Sequence, residues 1–174
     1  MVYIGISRGA TGTIGIIDEN DNATLVPVPW TWKNQKGHKH LNYQKFIEIL
    51  KPYIPVDEND VRQKLPAKVV MEKPIGFNWD TKRSVNIQKF IASNRFYEAE
   101  MAILECLGIP VTLVEPYNWH KDLFTQKYKK LSDVQASIEY GNDLYPELKQ
   151  SKAKDRDGIC MAYWLKHQKL FKRK

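Results

Sequence analysis

The chain has 174 residues, of which 43% are hydrophobic and 27% are charged, an ordinary composition for a soluble globular protein. This length suits one domain spanning residues 1–174, and the composition excludes a coiled coil or a disordered chain. No apolar run approaches the roughly 20 residues of a membrane-spanning helix, and no basic leader precedes an apolar stretch. Cys106 and Cys160 fall in apolar helical patterns, which predicts buried, reduced thiols in a cytoplasmic protein.

The charge is distributed unevenly along the chain. Twenty-seven basic and 20 acidic residues give a net charge of +7. Residues 149–174 hold nine Lys and Arg against two Asp, so the whole excess lies at this end of the chain, in and just before a basic C-terminal helix. This asymmetry indicates a polyanionic partner, nucleic acid first, although a solubilising end would give the same pattern.

Three short apolar runs begin the chain, at residues 2–7, 13–17 and 23–28. Their short connections predict an antiparallel meander. The glycines in residues 9–12 fit a tight turn better than a phosphate-binding loop, because the P-loop pattern is absent.

The later patterns alternate helices with two more strands. Their order predicts an α/β fold, with a mixed five-stranded sheet flanked by helices. In that sheet, a three-strand antiparallel meander is joined by two parallel strands. The helix at residues 84–107 is apolar on two sides, so it should pack against something besides its own sheet. The predicted elements are a loop at 30–40, helices at 41–53, 84–107, 118–130 and 131–140, a final helix that begins within 152–157 and ends at about 171, strands at 67–73 and 111–115, and a turn at 142–146.

Glu72 is the most informative single residue, because it ends the apolar segment 69–71. A carboxylate there costs free energy unless it is paired, exposed or bound to a cation. Ligands of open α/β sheets gather at the carboxyl ends of strands, which favours a functional role. A strand that stops one residue earlier would leave Glu72 in solvent with no such role.

Two acids, Asp155 and Asp157, lie at the start of the last helix among basic neighbours. Acids at this position can simply cap the helix. Alternatively they hold a divalent cation, Mg²⁺ with Mn²⁺ as a substitute, while the neighbours bind DNA phosphates. The basic neighbours are Lys152, Lys154 and Arg156.

Two aromatic residues, Phe77 and Trp79, fall in a polar and basic segment with Lys82 and Arg83. Aromatic side chains among cations can stack on DNA bases, and they can equally pack over the edge of the sheet. The pattern therefore predicts a DNA-binding loop without excluding a structural one.

Four segments, in this order, resemble the RuvC-like Holliday-junction resolvases of the phage type, within the ribonuclease-H-like superfamily: IGISRGATGTIGII, VVMEKP, VTLVEPYNWHK and KDRDGICMA. The resemblance implies a metal-dependent endonuclease that cuts four-way junctions and other branched DNA as a homodimer. It implies that Glu72, Asp155 and Asp157 hold Mg²⁺ and that Lys121 lies near the scissile phosphate. It also implies a dimer interface on helix 84–107 and, for a phage protein, the cytoplasm of the host cell.

The first motif departs from the family at one decisive position. Ser7 stands where the family has its first catalytic Asp, and Arg8 stands where it often has Pro. Because a hydroxyl is a poorer Mg²⁺ ligand than a carboxylate, cleavage should be weak or absent. A non-cleaving protein that binds branched DNA is therefore the alternative interpretation.

Overall fold

The computed structural model of the protein describes residues 1–33, 38–53, 67–74, 87–125 and 127–171. In chain order the strands and helices are β1 Val2–Ile6, β2 Thr13–Ile17, β3 Ala23–Pro27, β4 Trp30–Lys33, β5 His38–Leu41, α1 Tyr43–Leu50, β6 Ala67–Glu72, α2 Ile87–Cys106, β7 Val111–Val114, α3 Pro116–Leu123, α4 Asp133–Leu144 and α5 Asp157–Phe171. Two 3₁₀ turns cover Lys51–Tyr53 and Pro146–Gln150.

The main sheet has five strands in the order β3-β2-β1-β6-β7. Strands β1, β2 and β3 pair antiparallel through short connections, whereas β6 pairs parallel with both β1 and β7. The parallel pairings arise because helical segments separate these strands in the sequence. The predicted mixed sheet of a three-strand meander and two parallel strands is therefore confirmed.

Helices cover both faces of this sheet. On one face, Phe46 of α1 and Phe96 of α2 pack with strand residues such as Ile4. On the other, Trp119 of α3 and Met161 of α5 pack with Val70. Burial on both faces explains why the central strands are almost continuously apolar. None of the helices in the described ranges is long and apolar enough to cross a membrane.

Three local predictions differ from the structure. Residues 30–40 were predicted as a loop, yet β4 and β5 form a separate two-stranded sheet in which Trp30 pairs with Leu41. The helix predicted at 118–130 begins earlier because Pro116 occupies its first turn, and α4 begins after the Ser132 cap. Cys106, predicted to be buried, is exposed at the end of α2, whereas Cys160 is buried.

Candidate active site

The predicted site residues meet at one edge of the sheet. Glu72 ends β6 and Ser7 directly follows β1, and the two parallel strands are in register, with Ile6 opposite Met71. Parallel neighbours end at the same edge, so Ser7 and Glu72 lie side by side. Asp155 and Asp157 reach this edge from the start of α5, and the four side chains line one cavity of about 270 Å³.

Three glycines determine where α5 begins. A Cβ atom on Gly158 would collide with the backbone of β2, and one on Gly15 would collide with the backbone of α5. A Cβ on Gly5 would meet the carbonyl oxygen of Gly158. The helix therefore lies backbone to backbone on β1 and β2, closer than any other residue type allows. This close packing holds the two aspartates at the sheet edge.

Thr13 connects the first hairpin to the aspartates. Its hydroxyl donates a hydrogen bond to Oδ1 of Asp155 at 2.8 Å and accepts one from the Gly158 amide at 3.0 Å. Its amide donates to Oγ of Ser7 at 2.8 Å. Ser7 is only 2% exposed, so its hydroxyl serves the turn between β1 and β2. A neutral group thus occupies the position where the resemblance implies a carboxylate.

Both carboxylate oxygens of Glu72 accept hydrogen bonds. Arg8 donates from Nε to Oε2 at 2.9 Å, and Trp119 of α3 donates from Nε1 to Oε1 at 3.1 Å. Glu72 is 5% exposed, so the Arg8 guanidinium supplies the positive charge that a buried carboxylate requires. The resulting cluster holds three acids and one neighbouring cation.

The two aspartates repel one another in a poorly solvated position. Burial raises the pKa of Asp157 to about 8, and the charges of Asp155 and Glu72 add to the increase. Burial also raises the pKa of Asp155, although the Thr13 hydroxyl opposes this by stabilising the carboxylate. Added positive charge at this edge would therefore be favourable near neutral pH.

The donor chemistry of the cluster fits Mg²⁺, which prefers carboxylate oxygens. No group of three or more His, Cys, Asp and Glu side chains is placed to hold a metal ion within the described ranges. Mg²⁺, however, is commonly held by one or two carboxylates together with substrate phosphates. Asp155 and Asp157 are suited to bind such an ion. Glu72 becomes a further ligand only when Arg8, which now donates to its Oε2 atom, moves away.

A larger cleft of about 620 Å³ adjoins the acids on the α3 side. Arg8, Glu72 and Asp157 line it, and Lys121 and His120 of α3 line it as well. The structure therefore brings Lys121 into the same cleft as two of the predicted acids. Burial lowers the pKa of His120, so its imidazole is neutral at neutral pH.

A third cleft of about 440 Å³ adjoins the acids on the opposite side. Its lining includes Lys152 and Lys154, both exposed, and it shares Thr11 and Gly12 with the acid cavity. The two lysines predicted to bind DNA thus lie next to the acids.

Arg156 has a different role from the predicted DNA contact. It is 3% exposed, and its guanidinium donates to Oδ1 of Asn142 and to four backbone carbonyl oxygens, among them that of Leu148. A buried guanidinium with five acceptors is not available to phosphate. It organises the segment that leads into α5 instead. This corrects the prediction that Arg156 contacts DNA.

Four predicted DNA-binding residues, Phe77, Trp79, Lys82 and Arg83, lie outside the described residues. Their role stays a prediction.

Four residues that build the site had no predicted functional role. Arg8 and Trp119 hold Glu72, Thr13 holds Asp155, and His120 lines the larger cleft. Trp119 and His120 precede Lys121 directly, so their position in the motif was the one signal that could have identified them. Thr13 and Arg8 act through distant partners that no local pattern reveals.

Comparison with solved structures shows the fold. The chain is similar to Thermus thermophilus RuvC in complex with a Holliday junction substrate, with a TM-score of 0.56 and 13% identity over 98% of this chain and 96% of that one. It is also similar to another Thermus thermophilus RuvC structure, with a TM-score of 0.52 and 13% identity over 97% of each chain. No protein-family model and no curated protein matches the sequence. The chain therefore has a RuvC-like fold, and the comparison does not distinguish the phage type.

Proposed function

We propose that this chain is an endodeoxyribonuclease that nicks Holliday junctions and other branched DNA. One observation carries the proposal: three adjoining clefts run across the carboxyl edge of the sheet, with acids in the middle and lysines on both sides. Cations that flank a carboxylate cluster suit a polyanionic strand whose central phosphate lies over the acids.

The flanking lysines would bind the DNA backbone. Lys121 and Lys129 line the larger cleft, and Lys152 and Lys154 line the cleft on the other side. These contacts would position the strand without selecting a base sequence, and their affinity would fall as the salt concentration rises. Lys121, which shares its cleft with Glu72 and Asp157, would stabilise charge on the scissile phosphate.

The acids would hold Mg²⁺, or Mn²⁺ as its substitute, together with the bound DNA. The chemistry available from such ions is activation of water and stabilisation of the leaving oxygen. Glu72, Asp155 and Asp157 are the residues proposed as ligands. The neutral His120 imidazole in the same cleft can accept a proton.

A homodimer is the proposed assembly, because a four-way junction has near two-fold symmetry and needs one cut on each of two strands. Helix α2 is the proposed interface. It buries Phe96 and Leu104 in the core, while Ile91 is 44% exposed on the same helix.

The test compares labelled four-way, Y-shaped and linear duplex DNA, each with and without Mg²⁺ and Mn²⁺. Branched DNA should be nicked in the presence of metal, and linear duplex should not. Glu72→Gln should abolish nicking while junction binding is retained, because removal of a negative charge does not weaken contact with phosphates. Glu139→Gln, on the exposed surface of α4, is the matched control. Equal cutting of linear and branched DNA, or full activity in Glu72→Gln, would refute the proposal.

A second candidate is a branched-DNA-binding protein that does not cleave. Two observations favour it: Ser7 is a buried hydroxyl rather than a carboxylate, and Arg8 already neutralises Glu72. Tight junction binding with no nicking at any Mg²⁺ or Mn²⁺ concentration would establish this function instead.

A further inference from the structure

The hairpin of β4 and β5 carries two exposed tryptophans. Trp30 is 37% exposed and Trp32 is 56% exposed, and their rings meet edge to face with centroids 5.1 Å apart. Residues two apart on a strand lie on the same side, so both rings belong to one surface. Lys39 of β5 lies over this surface, with its Nζ atom 4.0 Å from the Trp30 centroid and 5.9 Å from that of Trp32.

Exposed indole rings leave apolar surface in contact with water, which costs free energy unless a partner covers them. Among the described residues, a hydrophobic core covers each face of the main sheet, and neither tryptophan belongs to these two cores. The pair is therefore not needed to complete them. An aromatic surface beside a cation suits a nucleobase, because every base has a π-face and carries a phosphate nearby. The hairpin therefore has the chemistry of a base-stacking platform.

The hairpin also forms one wall of the 440 Å³ cleft that holds the proposed DNA-binding lysines. Trp30 and Lys39 line that cleft, and Lys152 and Lys154 line it with them. Among its described lining residues, three are lysines and none is acidic. The occupant that fits is anionic and has a flat apolar part, which describes a nucleotide rather than a phosphate ion or an acidic peptide.

We propose that this cleft and the adjoining Trp32 ring bind an unpaired segment of the DNA strand. One base would lie on Trp30 in the cleft, another on Trp32 beside it, and the phosphates on Lys39, Lys152 and Lys154. The cleft shares Thr11 and Gly12 with the acid cavity, so the unpaired segment would continue directly from the strand at the acids. Bases inside a continuous duplex are covered by their neighbours, so this contact favours branch points, where stacking is interrupted and the strands can separate. The inference rests on the proposed function and adds how branched DNA is distinguished from duplex.

The test measures the binding of a labelled oligonucleotide of about 12 deoxythymidines, which lies within the site size of roughly 4–16 nucleotides for single-strand binding folds. Anisotropy gives the affinity, and intrinsic tryptophan fluorescence gives the stacking. Trp32→Ala and Trp30→Ala should each weaken binding about 5- to 150-fold, the equivalent of one lost stacked base. Trp32→Phe should retain most of the affinity, because a phenyl ring still stacks.

The lysines are tested through the salt dependence. The double change Lys152→Ala and Lys154→Ala should reduce the slope of log affinity against log salt by about 0.7 for each lost phosphate contact. Lys45→Ala, an exposed change on α1, should leave the slope unaltered.

Four outcomes decide the inference. Oligonucleotide binding unchanged in both tryptophan variants, or lost equally in Trp32→Phe, would overturn it. The inference would also be overturned if both alanine variants lose binding because they are partly unfolded, as measured by their melting temperatures. The two rings would then stabilise the fold and not bind DNA. Tryptophan-dependent binding of the oligonucleotide and of junctions, without any nicking, would support this site while refuting the proposed function.

Discussion

Replacing Arg8 tests the electrostatics of the candidate active site most directly. Its Nε atom lies 2.9 Å from Oε2 of Glu72, and the two side chains are 21% and 6% exposed. Removing one partner of a buried ion pair costs about 3–5 kcal/mol. Because Arg8 is one-fifth exposed and water can partly replace it, we expect Arg8→Ala to cost about 2–3 kcal/mol. For a domain of this size, that lowers the melting temperature by about 4–12 °C.

The same change should increase the response to metal ions. Without the guanidinium, Glu72 is free to bind a cation, so Mn²⁺ should stabilise the variant more than the wild type. An ion at 100 times its dissociation constant contributes about 2.7 kcal/mol, which corresponds to roughly 5–11 °C. The measurement is a melting curve in EDTA and in a Mn²⁺ titration, without DNA. Arg95→Ala, an exposed arginine on α2, is the matched control and should change neither value.

Two results would refute this reasoning. A melting temperature in EDTA that equals the Arg95→Ala value would mean that the Arg8 pair contributes nothing to stability. Equal Mn²⁺ shifts in the wild type and in Arg8→Ala would mean that the guanidinium does not compete with cations for Glu72.

Four further changes test other features of the structure. Ser7→Asp should increase Mg²⁺-dependent nicking, because it adds a carboxylate beside Glu72; unchanged rates across a Mg²⁺ titration would contradict this. The pKa of Asp157 is raised from 3.8 to about 8. Between these pH values the folded state keeps a proton that the unfolded state loses, so the free energy of unfolding of the wild type should fall as the pH rises. Asp157→Asn should remove this fall and be the more stable protein at pH 8 in EDTA, with little difference at pH 3.5, as measured by urea unfolding. Glu100 is buried in α2, and its Oε1 atom has no hydrogen-bond partner among the described residues. Burial raises the pKa of this carboxyl group well above its usual value. Glu100→Gln should therefore stabilise the protein at pH 8 and flatten the stability loss above pH 4.5, whereas Glu98→Gln should do neither. Gly15→Ala should destabilise the protein by about 3 kcal/mol, the upper end of the usual cost of overpacking, because its Cβ would collide with backbone and α5 must move off β2. A wild-type melting temperature would contradict the close packing.

The sheet and the convergence of its acids could be predicted because both depend on local pattern and strand order. Apolar runs identified the five strands, and two parallel strands must end at one edge, which brings Ser7 and Glu72 together. The position of Asp155 and Asp157 at a helix start was visible in the sequence, whereas their meeting with Glu72 was expected only from the resemblance of the four motifs.

The remaining features depend on partners far apart in the chain. Arg8 and Glu72 are 64 residues apart, so their ion pair leaves no local pattern. Residues 30–40 look like a loop because Pro27 and Pro29 precede them and polar residues dominate β5. Arg156 was predicted to contact DNA because it lies among basic neighbours of the two aspartates, but Gly141 leaves room for its side chain to be buried against α4.

The hydrogen bonds from Thr13 to Asp155 and from Gly158 to Thr13 join residues 142 and 145 positions apart. A ribosome adding about 5–20 residues per second needs roughly 7–30 s to make the intervening chain. During that time the first hairpin exists without the aspartates, and α5 cannot yet dock on Gly5 and Gly15. Contacts of such long sequence separation also form late in folding, because the entropy of closing the loop must be overcome first. A nascent chain therefore has no assembled acid cluster until the segment that carries Asp155 and Asp157 has been synthesised.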